Sequence, residues 1–286
     1  MPIVKSLENI PLDTLFGAFH EAFHDYEVQF TKRDFVAMLQ RRGFDPKLSF
    51  GAFDKSKLVA FTFNGIGNYN GIKRAYDTGT GTIKAYRNKG LASKIFNISI
   101  PYLQQAGISS YLLEVLKHNT QAISIYKKLG FTVSREYSYF YASPNDLIKN
   151  NNSQFPGSII VESTVNRIET HQTFWDFAPS WQNGIESIKR DINKFKILEA
   201  QQDGNCIGYI IFEPTSGDIP QLAVDKVHRR KGIASTLLQH ALEINKSSKI
   251  KVINIDSECS SLHSFLEYHG ISKQGGQFEM IKNIAL

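Results

Sequence analysis

The sequence predicts an α+β fold built from two tandem domains, each a mixed, mostly antiparallel sheet flanked by helices. Three observations carry that expectation. The chain has 286 residues, more than one ordinary core organises and suited to two domains of roughly 130–150 residues each. The turn Arg87-Asn88-Lys89-Gly90-Leu91-Ala92-Ser93 recurs as Arg229-Arg230-Lys231-Gly232-Ile233-Ala234-Ser235, 142 residues on (229 − 87); Gly130 and Gly270, each ending a later helix, stand 140 apart (270 − 130). The first half runs strand, helix pair, antiparallel strands, helix, strand, helix, strand, and the second half repeats that plan. The expected domains are 1–142 and 158–286. Between them, 143–157 has linker composition, with Pro144, three asparagines at 150–152 and Pro156-Gly157.

Taken in order, the first half opens on a strand at 2–6. Pro11 then starts a helix with Leu12, Leu15, Phe16, Phe19, Ala22, Phe23 and Tyr26 at helical spacing. Thr31 is the expected N-cap of a second helix, with Asp34 in capping-box position, ended by Gly43 and Pro46. Residues 49–53 and 58–63 flank the polar turn 54–57 and read as a hairpin, and a third strand runs from about 72 toward 84. Gly79 and Gly81 within it predict a bulge or the close approach of another backbone. After the Arg87–Ser93 turn come a helix to about Gly107, a buried strand at 111–116 interrupted by Glu114, and a short helix from Asn119 to Gly130.

Composition narrows the class. Hydrophobic residues make up 42% and charged residues 21%, the balance of a globular rather than a disordered chain. No apolar run approaches a bilayer span and no cleavage signature is visible, so a cytoplasmic protein without a membrane partner is expected. Cys206 and Cys259 are the only cysteines, which excludes a disulfide framework and leaves two reduced thiols. The net charge of +6 comes from scattered basic residues with no block of interleaved aromatics, so nucleic acid is not the expected partner. An anionic cofactor accounts for the excess equally well. No metal is expected.

The repeated turn supplies the anion site. It ends a strand and opens a helix, aiming backbone N–H groups and the positive end of the helix dipole at one point. Gly90 allows close approach, Ala92 keeps the first helical turn clear, and Arg87 and Lys89 add charge. Together with Leu113-Glu114-Val115, Asn119, Ala122, Tyr126 and Leu129-Gly130-Phe131, this pattern resembles the GNAT (GCN5-related N-acetyltransferase) superfamily, as a tandem two-domain member. Within it the Glu, Asn and Tyr spacing is similar to that of ribosomal-protein N-terminal alanine acetyltransferases. The match runs from about 82 to 131 and leaves out the region before 49, where the acceptor would bind.

The resemblance implies an acetyl-CoA-dependent N-acetyltransferase acting on a primary amine of a small molecule or peptide, with acetyl-CoA as co-substrate. Arg87, Asn88, Lys89, Gly90, Leu91, Ala92 and Ser93 would hold the diphosphate, Thr82 and Ile83 would flank the pantetheine through their main chain, and Asn119 would bond the pantetheine or cap its helix. A bound ammonium must lose a proton before attack; Glu114, on an otherwise apolar strand, is the candidate base, directly or through water. The same carboxylate can instead pair with a basic residue for structural reasons. Tyr126 is the candidate acid toward the thiolate, or alternatively a core tyrosine beside Ile123 and Ile125. Asp25, Tyr26, Tyr76 and Asp77 lie on segments that could border the acceptor cleft, where an acid would attract a cationic amine.

In the second half a strand at 158–163, a helical region with Phe174, Phe177 and Trp181, and strands at 194–200 and 206–212 lead to the second turn. Two strands are expected around Gly275-Gly276. The chemistry does not recur: aligned on the glycines, Asn254, Cys259 and Leu266 stand where Glu114, Asn119 and Tyr126 do. Val224, Arg229, Lys231, Gly232 and Ala234 remain as a second cofactor-binding set in a catalytically degenerate domain. A non-catalytic CoA-binding or partner-recruiting tandem is the alternative to an enzyme.

Overall fold

The computed structural model describes residues 2–25, 29–148 and 159–285; Tyr26 and most of the expected linker lie outside them. The chain divides into two compact units, Met1–Ser134 with Phe278–Leu286, and Arg135–Gln277. These units cross the boundaries expected at 142 and 158. The physical reason is packing: Met280 and Ile284, with Phe278 beside them, share a core with Phe96, Tyr111 and Phe131, a pairing of distant segments that local periodicity does not reveal.

The first unit begins with β1 (Ile3–Ser6), α1 (Leu12–Ala22) and α2 (Lys32–Arg42). Helix α1 buries Leu15, Ala18, Phe19 and Ala22, one face of a 3.6-residue repeat. Helix α2 starts with the expected capping box, Thr31 and Asp34 each satisfying the other's backbone N–H, and stops at Gly43 in the left-handed region. Strands β2 (Phe50–Asp54), β3 (Lys57–Tyr69) and β4 (Ile72–Thr82) form an antiparallel meander. Phe61 and Phe63 stack on the face toward α1 and α2. Helix α3 (Leu91–Gln105), β5 (Ser110–Leu116), α4 (Thr120–Lys128) and the start of β6 (Thr132–Ala142) follow.

Two irregularities in β4 position the site. Gly79 pairs with Phe63 and Asp77 with Asn64, so Thr78 is an extra residue, the bulge expected near Gly79. The Arg42 guanidinium donates to its carbonyl at 2.8 Å. At Gly81 the close approach is by side chains rather than by the backbone expected: a Cβ there would lie 2.5 Å from Phe61 Cζ and 3.1 Å from Ala22 Cβ. Strands β4 and β5 are parallel and paired only at Arg74–Ser110, Ala75–Tyr111 and Tyr76–Leu112. Past those pairs the two strands have no ladder between them, and Asp77–Thr82 and Leu113–Leu116 border a wedge.

The second unit contains the rest of β6, then β7 (Ile159–Glu162), α5 (Val165–Ile168), α6 (Ile185–Arg190), β8 (Lys196–Gln202), β9 (Asn205–Glu213), β10 (Asp218–Val224), α7 (Ile233–Glu243), β11 (Ile250–Asp256), α8 (Ser260–Tyr268) and the start of β12 (Ser272–Asn283). Its strands are ordered β6-β11-β10-β9-β8-β7. β10 and β11 repeat the parallel wedge, paired only at Asp218–Lys251. Two expectations change here. The helical region around 174–181 consists of 3-10 turns and two short helices, α5 and α6. Residues 272–283 form one strand, not two, because Gly275 serves a close approach rather than a turn: a Cβ there would lie 2.4 Å from the Tyr139 hydroxyl.

Candidate functional site

The turn after β4 holds Asn88 at φ 62 and Gly90 at φ 70, and the turn after β10 holds Arg230 at φ 63 and Gly232 at φ 87. Alternating left-handed residues fold the backbone into a concavity of N–H groups. Neither Gly90 nor Gly232 caps its helix with a side chain. The N–H groups of Leu91, Ala92 and Ser93, and of Ile233, Ala234 and Ser235, therefore open each helix without an intrahelical acceptor. Arg230 is a costly residue in that backbone region, which marks the second turn as a shape kept despite its sequence.

The arginine of each turn is placed unexpectedly. Arg87 donates through Nε to the Thr82 carbonyl at 3.1 Å and through Nη2 to the Ala22 carbonyl at 2.9 Å, with Nη1 3.6 Å from Asp25. Arg229 repeats this atom for atom: Nε to Val224 at 3.1 Å, Nη2 to Phe174 at 2.9 Å, Nη1 to Asp176 at 2.8 Å. Both guanidinium groups brace the turn against the segment before it. Lys89 is similarly engaged, donating to the Ala85 carbonyl at 3.0 Å and lying over the Tyr86 ring. The Ile83 main chain donates to Val59 and accepts from Tyr86. Asn119 caps α4, its Oδ1 accepting from the Ala122 N–H at 3.1 Å.

Of the two residues given to proton transfer, Glu114 lies on β5 and Tyr126 on α4, and each has a partner on β4. The Tyr76 hydroxyl hydrogen-bonds the Glu114 carboxylate; burial first, and that carboxylate second, hold the buried phenol well above its usual range. The Tyr126 hydroxyl donates to Asp77 Oδ2 at 3.0 Å, and the Thr80 hydroxyl donates to the same oxygen at 2.8 Å. Asp77 Oδ1 is buried with no hydrogen-bond partner among the described residues. Burial pushes the Asp77 carboxyl up to about 6, against the opposing pull of Thr80, Tyr126, the Gly79 backbone and the Arg42 charge. Tyr111 closes the inner end of the group and donates to Asn64 Oδ1.

The structure thus brings Tyr126 to Asp77 and Glu114 to Tyr76. Tyr76 is the last paired residue of β4 and Asp77 the first that borders the wedge, and Asp25 stands apart from them. Its carboxyl is exposed, beside Lys84 and Arg87, and Lys84 in the first place holds it below the usual range. Sequence reasoning missed the carboxylate–phenol pairing. The available signal was Asp77, the single acid in the stretch 72–82, set between Tyr76 and a Thr-Gly-Thr-Gly run.

In the second unit the wedge opens into a cavity of about 560 Å³. Val224, Arg229, Gly232 and Ala234 line it, and Lys231 is not among its lining residues. Asn254, in the place of Glu114, is buried at φ 60, donates to Ser180 Oγ at 2.8 Å and accepts from Gln277. Leu266 is buried and Cys259 begins α8 without a side-chain cap. The cavity has the turn and the wedge without a carboxylate or phenol at the corresponding positions. Among the described residues, no group of three His, Cys, Asp or Glu is placed to hold a metal, and no helix is long and apolar enough to cross a membrane.

The profile of the Acetyltransferase (GNAT) family matches residues 12–131 and 164–268. Over 120 residues the chain is 29% identical to N-alpha-acetyltransferase MAK3 of Arabidopsis thaliana, covering 42% of this chain and 60% of that protein. Over 105 residues it is 26% identical to N-alpha-acetyltransferase 30 of Schizosaccharomyces pombe, covering 36% of this chain and 70% of that one. Among solved structures it is similar to a tandem GNAT protein from the clavulanic acid biosynthesis pathway, with TM-score 0.74 at 9% identity over 100% of this chain and 99% of that one. A GNAT structure from Sphaerobacter thermophilus gives TM-score 0.71 at 12% identity over 100% and 96%. At such identities these two likenesses bear on the fold.

Proposed function

Because the chain belongs to the acetyltransferase (GNAT) family, we propose that its first unit transfers an acetyl group from acetyl-CoA to a primary amine, and that its second unit holds a CoA-type ligand without transferring anything. The observation that carries this reading is the difference between the two wedges. Each has a concave turn at its mouth, and only the first has a carboxylate and a phenol at the positions of Glu114 and Tyr126, where the second has Asn254 and Leu266.

In this reading the N–H groups of Leu91, Ala92 and Ser93, within the turn formed by Asn88, Lys89 and Gly90, receive the diphosphate. Arg87 braces the turn, and the Thr82–Ile83 backbone and Asn119 border the pantetheine. Acetyl-CoA supplies the activated acyl carbon. Glu114 takes a proton from the incoming ammonium, directly or through water. The amine nitrogen then bonds to the thioester carbon and gives up a second proton, the C–S bond breaks with its electron pair on sulfur, and Tyr126 gives a proton to the departing thiolate. The acceptor class follows the N-alpha-acetyltransferase relatives: a peptide α-amine is the first candidate and a small-molecule amine the second.

The test is thiol release from acetyl-CoA with a panel of peptide α-amines, polyamines, amino acids and amino sugars. Glu114→Gln and Tyr126→Phe should each slow turnover by roughly 100-fold or more. Undiminished turnover in both removes the assignment. Calorimetric CoA binding without thiol release from any amine favours instead a binding tandem.

A further inference from the structure

We propose that Asp77 stores the amine's proton on its way to sulfur, working through the Tyr126 hydroxyl. The inference rests on the reading that Tyr126 faces the thioester sulfur, and it adds a positioning residue which that reading lacked. A phenol by itself is a weak acid toward a thiolate, since its ordinary pKa near 10 exceeds the thiol's near 8.5. A phenol already hydrogen-bonded to a carboxylate can pass a proton in either direction without bearing a full charge.

The geometry is specific. Tyr126 Oη lies 3.0 Å from Asp77 Oδ2, and Thr80 Oγ1 donates to that oxygen at 2.8 Å. Thr80 in turn lies 3.1 Å from the Thr62 hydroxyl, which fixes the carboxylate plane. Oδ1 is buried with no hydrogen-bond partner among the described residues, leaving room on the carboxyl for one proton. The bulge at Thr78 sets Asp77 there, immediately past the last paired residues of β4 and β5.

The step balances without another reagent. As the N–C bond forms, an N–H proton passes to the Tyr126 oxygen while the phenolic proton passes to Asp77. As the C–S bond breaks with its electron pair on sulfur, Tyr126 protonates the thiolate and Asp77 returns its proton to Tyr126. One proton moves from nitrogen to sulfur, and the pair ends as it began. The shuttle needs Asp77 ionised at the outset, and its carboxyl titrates at about 6, so the resting form predominates at neutral pH. The groups facing it are Arg42 from α2, Tyr76 on its own strand, Tyr111 on β5 and Tyr126 on α4, with Glu114 on the far side of Tyr76. A purely structural tie between β4 and α4 is the competing account, and the two differ in pH behaviour.

The experiment uses the full chain, with the fastest amine of the panel above as acceptor. The wild type should show an acid limb in kcat near pH 6. Asp77→Asn should lower kcat roughly 10–100-fold, leave the KM for acetyl-CoA within about twofold, and abolish that limb. Thr80→Val removes a hydrogen bond that favours the ionised carboxyl, so the limb should move to higher pH. A 19F spectrum of the 3-fluorotyrosine-labelled chain, with Tyr126 assigned by its loss in Tyr126→Phe, should show that resonance shifting near pH 6 in wild type and not in Asp77→Asn. A limb that survives in Asp77→Asn and disappears in Glu114→Gln overturns the shuttle while leaving the transferase reading intact. The shuttle is also overturned if Asp77→Asn lowers only the melting temperature. No turnover with any amine removes the transferase reading and the shuttle with it, even if the 19F coupling persists.

Discussion

Replacing Arg87 by Gln should lower the stability of the first unit whether or not CoA is present. The magnitude follows from two charge-assisted hydrogen bonds, to the Thr82 carbonyl at 3.1 Å and the Ala22 carbonyl at 2.9 Å. Such bonds contribute about 1.5–3 kcal/mol each when buried. The Arg87 side chain is 37% exposed, so water takes over part of that role. About 1 kcal/mol per bond remains, or ~2 kcal/mol together, which corresponds to about 4–8 °C in melting temperature for a unit of this size. Asp25, exposed and 3.6 Å away, adds nothing to that figure. Thermal denaturation of the ligand-free chain gives the stability, and calorimetric titration with CoA gives the affinity. Arg87→Lys keeps the charge but loses the fork that reaches two carbonyls, so it should lose nearly as much stability. A Gln variant that melts like wild type yet binds CoA tenfold more weakly would refute the bracing role and make Arg87 a direct phosphate ligand.

Further predictions concern β4. Gly81→Ala should destabilise the first unit by about 1–3 kcal/mol, because the added carbon runs into the Phe61 ring and Ala22; Gly79→Ala, whose nearest neighbour is 3.8 Å away, should be close to neutral in the same melts. Asp77 carries a pH signature in stability as well as in rate. Its folded carboxyl titrates at about 6 against an ordinary 3.8, so the fold favours the protonated form. Stability from this group is full below about pH 4 and declines as pH rises toward 6, by about 3 kcal/mol in all at 1.36 kcal/mol per pK unit. Denaturant titrations of wild type and Asp77→Asn should therefore shift in the variant's favour between pH 4 and 7, and a constant difference would contradict the burial of that carboxyl.

Much of this architecture was legible because its signals are local. The capping box at Thr31 and Asp34, the left-handed stop at Gly43 and the two concave turns each lie within a few residues. The duplication was legible because two landmarks kept their spacing. What escaped is held by long-range contacts. The alternation along β4 would tell which side chains face the wedge only if the pleat were unbroken, and the bulge at Thr78 resets it one residue after Asp77. Tyr126, the partner that gives Asp77 its meaning, is 49 residues away. The role of Arg87 escaped for a related reason: a basic residue beside a helix start suggests an anion, and only the position of the Ala22 carbonyl reveals another use. In the second unit, a tract rich in aromatic residues suggested a helix, whereas Pro179 and Gly184 lie in a series of short turns.

Residues 278–286 belong with the first 134, and that assignment has a bearing on how the chain matures. Leaving a ribosome N-terminus first, the leading unit has its helices and most of its strands long before the hydrophobic side chains of Phe278, Met280 and Ile284 have been polymerised. Until then Phe96, Tyr111 and Phe131 lack three of their neighbours, and the trailing unit can be assembled before its predecessor is finished. Removing residues 278–286 would therefore injure the unit whose other residues are made earlier.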